Sequence, residues 1–156
     1  MAKTMNNEEV TQLGDKLYEQ GKFEEAFAVY LKAAKNGDLS SMTQVANMLT
    51  CGEGVDCNFD NAIEWELKAI EGGEISAMVN VGISYRMKGE IKKSKYWFEQ
   101  ALEKGNGSAA LELAKIYMVS DKEKETIKEY LNLAINNTNM CEADIEEAQQ
   151  LLTEVK

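Results

Sequence analysis

Carboxylates are the most abundant side chains in this sequence that could do chemistry. The chain has 27 aspartates and glutamates and no histidine, so the commonest general base and the imidazole metal ligand are both missing. This excludes serine and cysteine triads of the usual kind, and an enzyme would have to work with carboxylates alone. Because the carboxylates are spaced as on helix surfaces, we interpret them as a solvated face and predict that the protein is not an enzyme.

The five residues that begin at Asp56 resemble the start of a calcium-binding loop, with oxygen ligands at the first, third and fifth positions. However, the sixth position is Asn61 instead of glycine, and the twelfth is Leu67 instead of a bidentate glutamate. The pair Gly52 and Gly54 also lacks the lysine that a phosphate-binding loop requires after it. The sequence therefore predicts neither a metal ion nor a cofactor.

The three cysteines, Cys51, Cys57 and Cys141, form no C-x-x-C pair, and the N-terminal residues lack the apolar core of a signal peptide. No apolar run approaches the ~18 residues of a membrane-spanning helix. We therefore expect a cytoplasmic protein with no membrane span. In a reducing compartment, each cysteine is expected to be a small buried hydrophobic residue.

The formal net charge of -10 disfavours nucleic acid and anionic membranes as partners and favours a basic protein surface. The charge is uneven, because residues 40–75 hold seven acids and one lysine, whereas residues 76–107 hold six basic and three acidic groups. We define an acidic patch that could steer a basic partner at long range. Solvated side chains without a partner are the alternative. The acidic patch comprises Glu53, Asp56, Asp60, Glu64, Glu66 and Glu71.

Two series of small residues, which we call columns, recur at regular spacing along the chain. They indicate the repeated elements that carry the acidic side chains. A small residue recurs at spacings of 32, 36 and 32, as Gly14, Ala46, Gly82 and Ala114. A second column recurs at spacings of 36, 32 and 33, as Ala33, Ala69, Ala101 and Ala134. A period of this length is typical of stacked repeats, so we predict four repeats, with the extra residues of the second repeat in a loop at 50–58.

Each repeat carries two apolar stripes with helical spacing, separated by a turn residue such as Gly21. This pattern predicts a helix-turn-helix hairpin in every repeat. Ile145, Ala148, Leu152 and Val155 form one further stripe, which predicts a terminal capping helix. The predicted helices span about 7–20, 23–36, 39–51, 59–71, 75–88, 91–104, 107–120, 123–136 and 141–155.

These columns resemble those of the tetratricopeptide repeat, through Leu13-Gly14, Leu17, Gly21, Phe23, Ala26, Tyr30 and Ala33. The second repeat looks instead like a Sel-one-like repeat, through Leu49, Gly52-Glu53-Gly54-Val55, Ala62, Trp65, Lys68-Ala69 and Gly72-Gly73. The fourth repeat departs from the pattern at Asp121 and Ile127. The resemblance implies an all-α, alpha-alpha superhelix (solenoid) of four helix-turn-helix repeats plus the capping helix, and the chain length predicts a single domain over 1–156. Its repeats would span about 7–38, 39–74, 75–106 and 107–139.

The resemblance also implies a concave groove lined by the first helix of each repeat, suited to an extended or helical segment of a partner. Alternatively, the terminal helix covers the apolar part of this lining, or it is lateral packing. The groove positions are Asp15, Tyr18, Thr43, Asn47, Thr50, Val79, Ile83, Arg86, Leu111, Lys115 and Met118.

Proteins of this superfamily usually bind other proteins, so the resemblance implies an adaptor or scaffold whose groove holds a partner segment. The alternative is a small acidic chaperone or immunity protein dedicated to one basic secreted or toxic partner. Length and acidity fit these two roles equally well.

Overall fold

A computed structural model describes residues 5–120 and 123–155 of the chain. Within these ranges it contains nine α-helices and no strand, which confirms the all-α prediction, and each helix boundary falls within two residues of the predicted one. Asp121 lies outside the described residues. The helices are α1 (Asn7–Glu19), α2 (Phe23–Lys35), α3 (Leu39–Cys51), α4 (Phe59–Glu71), α5 (Ala77–Met87), α6 (Ile91–Glu103), α7 (Gly107–Ser120), α8 (Lys124–Ile135) and α9 (Glu142–Glu154).

Side-chain caps fix where several helices begin. Asn6 caps α1 in a reciprocal capping box with Glu9, while Asp38 and Asn58 accept hydrogen bonds from backbone N–H groups in the first turns of α3 and α4. These caps satisfy N–H groups that have no partner inside the helix. The cap residues therefore set the start of α1, α3 and α4.

The chain divides into two compact units. The N-unit, Met1–Gly89, holds α1 to α5, and the C-unit, Glu90–Lys156, holds α6 to α9. The division falls between the two helices of the third repeat. Consecutive helices pack on each other within each unit, which is the pattern of a helical repeat array.

Both residue columns lie in the protein interior. The four small residues of the first column are buried, and the four alanines of the second column are fully buried. A Cβ atom on Gly14 would lie 2.5 Å from Cε1 of Tyr30, so the glycine allows α1 and α2 to approach closely. The small residue of this column thus serves close packing of the two helices of the first repeat.

Each unit has its own hydrophobic cluster. In the N-unit, α2, α3 and α4 contribute buried residues such as Tyr30, Val45 and Leu49. In the C-unit, α7, α8 and α9 contribute buried residues such as Ile127 and Ala148. The predicted capping helix is thus an integral part of the C-unit core. Within the described residues, no helix has the length and apolar character needed to cross a membrane.

Candidate partner-binding cleft

A cleft of about 540 Å³ opens in the N-unit between α1 and α3. Helix α1 contributes three of its lining residues, α2 contributes one, α3 contributes four, and the loop after α3 contributes one. Three of the predicted groove residues and one residue of the acidic patch therefore meet in one place. The lining residues are Asp15, Tyr18, Glu19, Tyr30, Gln44, Asn47, Met48, Cys51 and Glu53.

Two tyrosine hydroxyls hold carboxylates at the cleft. Tyr18 donates a hydrogen bond of 2.6 Å to Glu53 Oε2, and Tyr30 donates one of 2.6 Å to Asp15 Oδ1. The hydrogen bond with Glu53 raises the pKa of Tyr18. Burial raises the pKa of Tyr30, and the hydrogen bond with Asp15 adds to this. Both tyrosines are therefore neutral donors at physiological pH, and they orient the two carboxylates.

The loop after α3 brings Glu53 to the cleft. Gly52 ends α3 in the left-handed conformation (φ 72°), and its N–H donates to the carbonyl of Met48. Gly54 packs directly on the backbone of Phe23 at the start of α2, where any Cβ atom would collide with the Phe23 carbonyl. Glu53 is held between these two glycines, which explains the Gly-x-Gly spacing without a phosphate ligand.

The cleft is an anionic site. Asp15, Glu19 and Glu53 supply three carboxylates, and none of the nine lining residues is a lysine or arginine. A concave site lined by one sign of charge raises the local concentration of oppositely charged groups. A lysine or arginine side chain of a partner is therefore the best electrostatic match for this cleft.

Periodicity could have identified the cleft residues that the sequence analysis missed. Glu19 lies four residues after Asp15, and Cys51 lies four residues after Asn47, so each pair shares a helix face. Gln44 lies three residues before Asn47 for the same reason. The approach of Tyr30 to Asp15 depends on the packing of α2 against α1, for which the sequence gives no direct signal.

The other predicted groove positions in the N-unit are less accessible. Thr43 and Thr50 are half-buried, and their hydroxyls donate to backbone carbonyls of α3. Ile83 and Arg86 of α5 are also half-buried. Val79 is 9% exposed and belongs to the core, which corrects its assignment to an open groove surface. Its apolar side chain serves packing at this position.

Helix α9 covers the predicted groove positions of the C-unit. Leu111 is only 3% exposed and shares a buried cluster with Ala148 of α9, while Met118 packs against the same cluster. Lys115 forms an ion pair of 2.9 Å with Glu147 of α9. Leu111 is therefore a core residue and not part of an open surface, as the alternative of a covering terminal helix anticipated.

The acidic patch divides into four exposed residues, the half-buried Glu53 at the cleft, and one buried residue. Asp56, Glu64 and Glu71 are exposed, and Asp60 is exposed but paired with Lys88. Glu66 is 1% exposed, which corrects its assignment to the surface. Burial raises the pKa of Glu66 to about 8, although a hydrogen bond from Ser84 opposes the shift. Glu66 thus belongs to the interior of the N-unit.

The predicted burial of the cysteines is wrong, because Cys51, Cys57 and Cys141 are all exposed. Cys51 ends α3 at the cleft, and Cys57 follows the loop, where its thiol donates to the carbonyl of Thr50. In the described parts of the chain, no group of three or more cysteine, aspartate or glutamate side chains is placed to hold a metal ion.

No protein-family model matches the sequence, and no curated protein matches it significantly. Solved structures do match. A protective antigen present in uropathogenic Escherichia coli strains, which displays an SLR fold, superposes with a TM-score of 0.76 at 21% identity over 96% of this chain. The chain spans only 33% of that antigen. A Sel1 repeat protein from Oxalobacter formigenes superposes with a TM-score of 0.72 at 22% identity, over 97% of this chain and 71% of its own.

An immunity protein from Pseudomonas aeruginosa is 14% identical over 92% of this chain and 82% of its own, with a TM-score of 0.41. That score is too low to establish a common fold. The two higher-scoring structures show that this chain has a Sel1-like repeat fold, which confirms the resemblance found in the second repeat.

Proposed function

We propose that this chain, which has the Sel-one-like repeat fold, is a protein-interaction module of the adaptor or scaffold kind that binds a basic segment of a partner at the N-unit cleft. Proteins with such repeats commonly bind other proteins. The observation that carries the proposal is the convergence of three carboxylates and two neutral tyrosine hydroxyls on one cleft without a lining lysine or arginine. The proposal involves binding and no reaction.

The exposed acids of the acidic patch support a basic partner. Asp56, Glu64 and Glu71 lie in the same unit as the cleft, so their field adds to that of its carboxylates. Such charges increase the rate of association with a basic partner more than they increase the final affinity. The cleft would provide the short-range contacts, and the patch would provide long-range attraction.

Cys51 offers a direct test, because it is an exposed cysteine that lines the cleft. A fluorophore attached to Cys51, with Cys57 and Cys141 changed to serine, would report occupancy of the cleft. A lysine-containing peptide should change the fluorescence, and a peptide with glutamate at the same positions should not. The same fluorophore on Cys141, in the C-unit, is the matched control.

Loss of a cleft carboxylate should weaken binding of the lysine-containing peptide. A hydrogen bond to a charged group contributes about 1.5–3 kcal/mol, so Asp15→Asn or Glu53→Gln should raise the Kd about tenfold or more. Glu142→Gln, at an exposed position of α9, should leave the Kd unchanged. Equal binding of the lysine and glutamate peptides, or unchanged affinity in both cleft variants, would refute the proposal.

The acidity of the N-unit also fits the second candidate, a chaperone or immunity protein dedicated to one basic partner. The two roles differ in the number of partners that use the cleft. Affinity capture from native cells with wild-type protein and with Asp15→Asn separates them. One stoichiometric basic protein lost from the variant supports the dedicated role, whereas several unrelated proteins lost together support an adaptor.

A further inference from the structure

Glu66 occupies a core position of the repeat. The residue three positions before each alanine of the second column is at most 2% exposed, and these residues are Tyr30, Glu66, Phe98 and Leu131. Three of the four are large aromatic or aliphatic side chains, as expected for a position that fills the space between helices. The second repeat therefore places a carboxyl group where the other repeats place an apolar side chain.

The contacts of Glu66 fit a carboxylic acid better than a carboxylate. Its Oε1 accepts a hydrogen bond of 3.2 Å from Ser84 of α5, and the Ser84 hydroxyl lies 3.4 Å from that of Thr50 on α3. Its Oε2 is buried and has no hydrogen-bond partner. An ionised carboxylate would thus be buried with one hydrogen bond, whereas a neutral acid leaves no unpaired charge.

The helices packed against α4 supply few charged groups. Helix α3 carries no charged side chain, and its one titratable group is Cys51, which faces the cleft. On α5 the titratable groups are Tyr85 and Arg86, which follow Ser84 and are half-buried. Burial is the main cause of the raised pKa of Glu66. The remaining charged groups of α4 are exposed, and they are Asp60, Glu64, Lys68 and Glu71.

We propose that Glu66 is a pH-sensitive latch of the N-unit, which holds α3, α4 and α5 together as a neutral carboxylic acid and weakens their packing when it loses its proton. Glu66 does not line the cleft, so the latch does not depend on the binding proposed there. A carboxyl group at this position joins three helices through Ser84 and Thr50, so its protonation state affects the packing of all three.

The direction of the pH effect follows from proton linkage. Glu66 has a pKa of about 8 in the folded protein, against 4.5 for an ordinary glutamate. Between these values the folded state keeps a proton that the unfolded state has released, so stability falls as the pH rises. The stabilising contribution of Glu66 is fully present below pH 4.5 and is lost as the pH rises to about 8.

The test compares unfolding of the full-length wild type and Glu66→Gln between pH 5 and pH 9. Relative to the variant, the wild-type unfolding equilibrium constant should rise by up to about tenfold per pH unit, and the difference should level off near the folded-state pKa. Glu64→Gln, an exposed neighbour on the same helix, should follow the wild type. Hydrogen exchange should show loss of protection in α4 and α5 at high pH, but not in α8.

Parallel pH profiles for the wild type and Glu66→Gln would overturn the proposal. A second measurement needs no variant to fold, because carbon NMR of the glutamate side chains can follow each carboxyl group in the wild type. One glutamate should titrate far above the others. Titration of every glutamate near its ordinary pKa would equally overturn the latch.

Discussion

The same repeat position is used differently in the N-unit and the C-unit. Asp15 and Lys115 each follow the small residue of their repeat, and Tyr18 and Met118 lie three positions further on. In the N-unit, Asp15 and Tyr18 line an open cleft. In the C-unit, Lys115 pairs with α9 and Met118 packs against the core that includes α9. The repeat specifies the position, and the additional helix determines whether that position is covered.

The two units also differ in polarity at a buried position on the second helix of these repeats. Tyr30 in the N-unit reaches Asp15 with its hydroxyl, whereas Leu131 in the C-unit has no polar atom to offer. The N-unit therefore combines a polar core residue with an open polar surface. The C-unit combines an apolar core residue with a covering helix. This contrast is the reason why we propose binding at the N-unit and not at the C-unit.

The largest expected effect comes from breaking the cover of the C-unit with Ala148→Glu. Ala148 is fully buried between α9 and the C-unit core, so a glutamate there would bury a charge without a partner or force α9 away. We expect a loss of about 3–5 kcal/mol in the free energy of unfolding of the C-unit.

Hydrogen exchange resolved by residue would measure this effect in α7, α8 and α9 separately from the N-unit. The control is Gln149→Glu, which adds the same charge at an exposed neighbouring position and should change stability little. Lysine-peptide binding at the cleft should survive in both variants. Full protection of α7 in Ala148→Glu would show that α9 is not the cover we infer.

A smaller effect should follow from crowding the N-unit with Gly14→Ala. The new Cβ atom would lie 2.5 Å from the ring of Tyr30, which is buried and cannot move away freely. Overpacking of this kind costs about 1–3 kcal/mol, partly offset by ~1 kcal/mol of helix propensity. Displacement of Tyr30 should also weaken its hydrogen bond to Asp15 and reduce peptide binding.

Chemical denaturation and the Cys51 fluorescence assay would measure these two consequences. Gln12→Ala, at an exposed position of α1, should leave both nearly unchanged. If Gly14→Ala keeps wild-type stability and affinity, the close contact between α1 and α2 does not support the cleft.

Much of the fold was predictable because the columns encode close helix packing. Gly14 and Ala33 mark where backbones approach, and Asn6, Asp38 and Asn58 mark helix starts. The apolar stripes are local signals too, and their spacing gave the helix boundaries to within about two residues. The helix-turn-helix hairpins therefore followed from spacing, whereas the repeat fold followed from the resemblance to known repeats.

The candidate site was less predictable because it depends on contacts between distant residues. Tyr18 meets Glu53 across 35 positions, through a loop whose course depends on Gly52 and Gly54. The apolar stripe of α9 predicted a cap, but periodicity does not say which surface a cap covers. Glu66 could have been predicted correctly, because it lies three residues before Ala69, at the position where the other repeats carry a large apolar or aromatic residue. Its charge led instead to its assignment to the exposed acidic patch.

The smallest expected effect tests whether the charge of Lys115, at the position equivalent to Asp15, stabilises the C-unit. Burial lowers the pKa of Lys115, but hydrogen bonds and charges of Glu147 and Glu112 raise it by more, so the lysine is charged throughout the physiological range. Lys115 and Glu147 remain 30% and 46% exposed, so water and salt screen the pair. Lys115→Gln should cost at most ~1 kcal/mol of C-unit stability, and less at high salt.

Denaturation of Lys115→Gln at low and high salt would measure this cost, and the contribution should disappear in the wild type as the pH rises through the raised pKa of Lys115. Peptide binding at the cleft should stay at the wild-type level, in contrast to Asp15→Asn at the equivalent position. A cost well above 1 kcal/mol would mean that α9 is held by charge. A small cost, together with the large cost of Ala148→Glu, would mean that apolar burial, and not the ion pair of Lys115, holds α9 on the C-unit core.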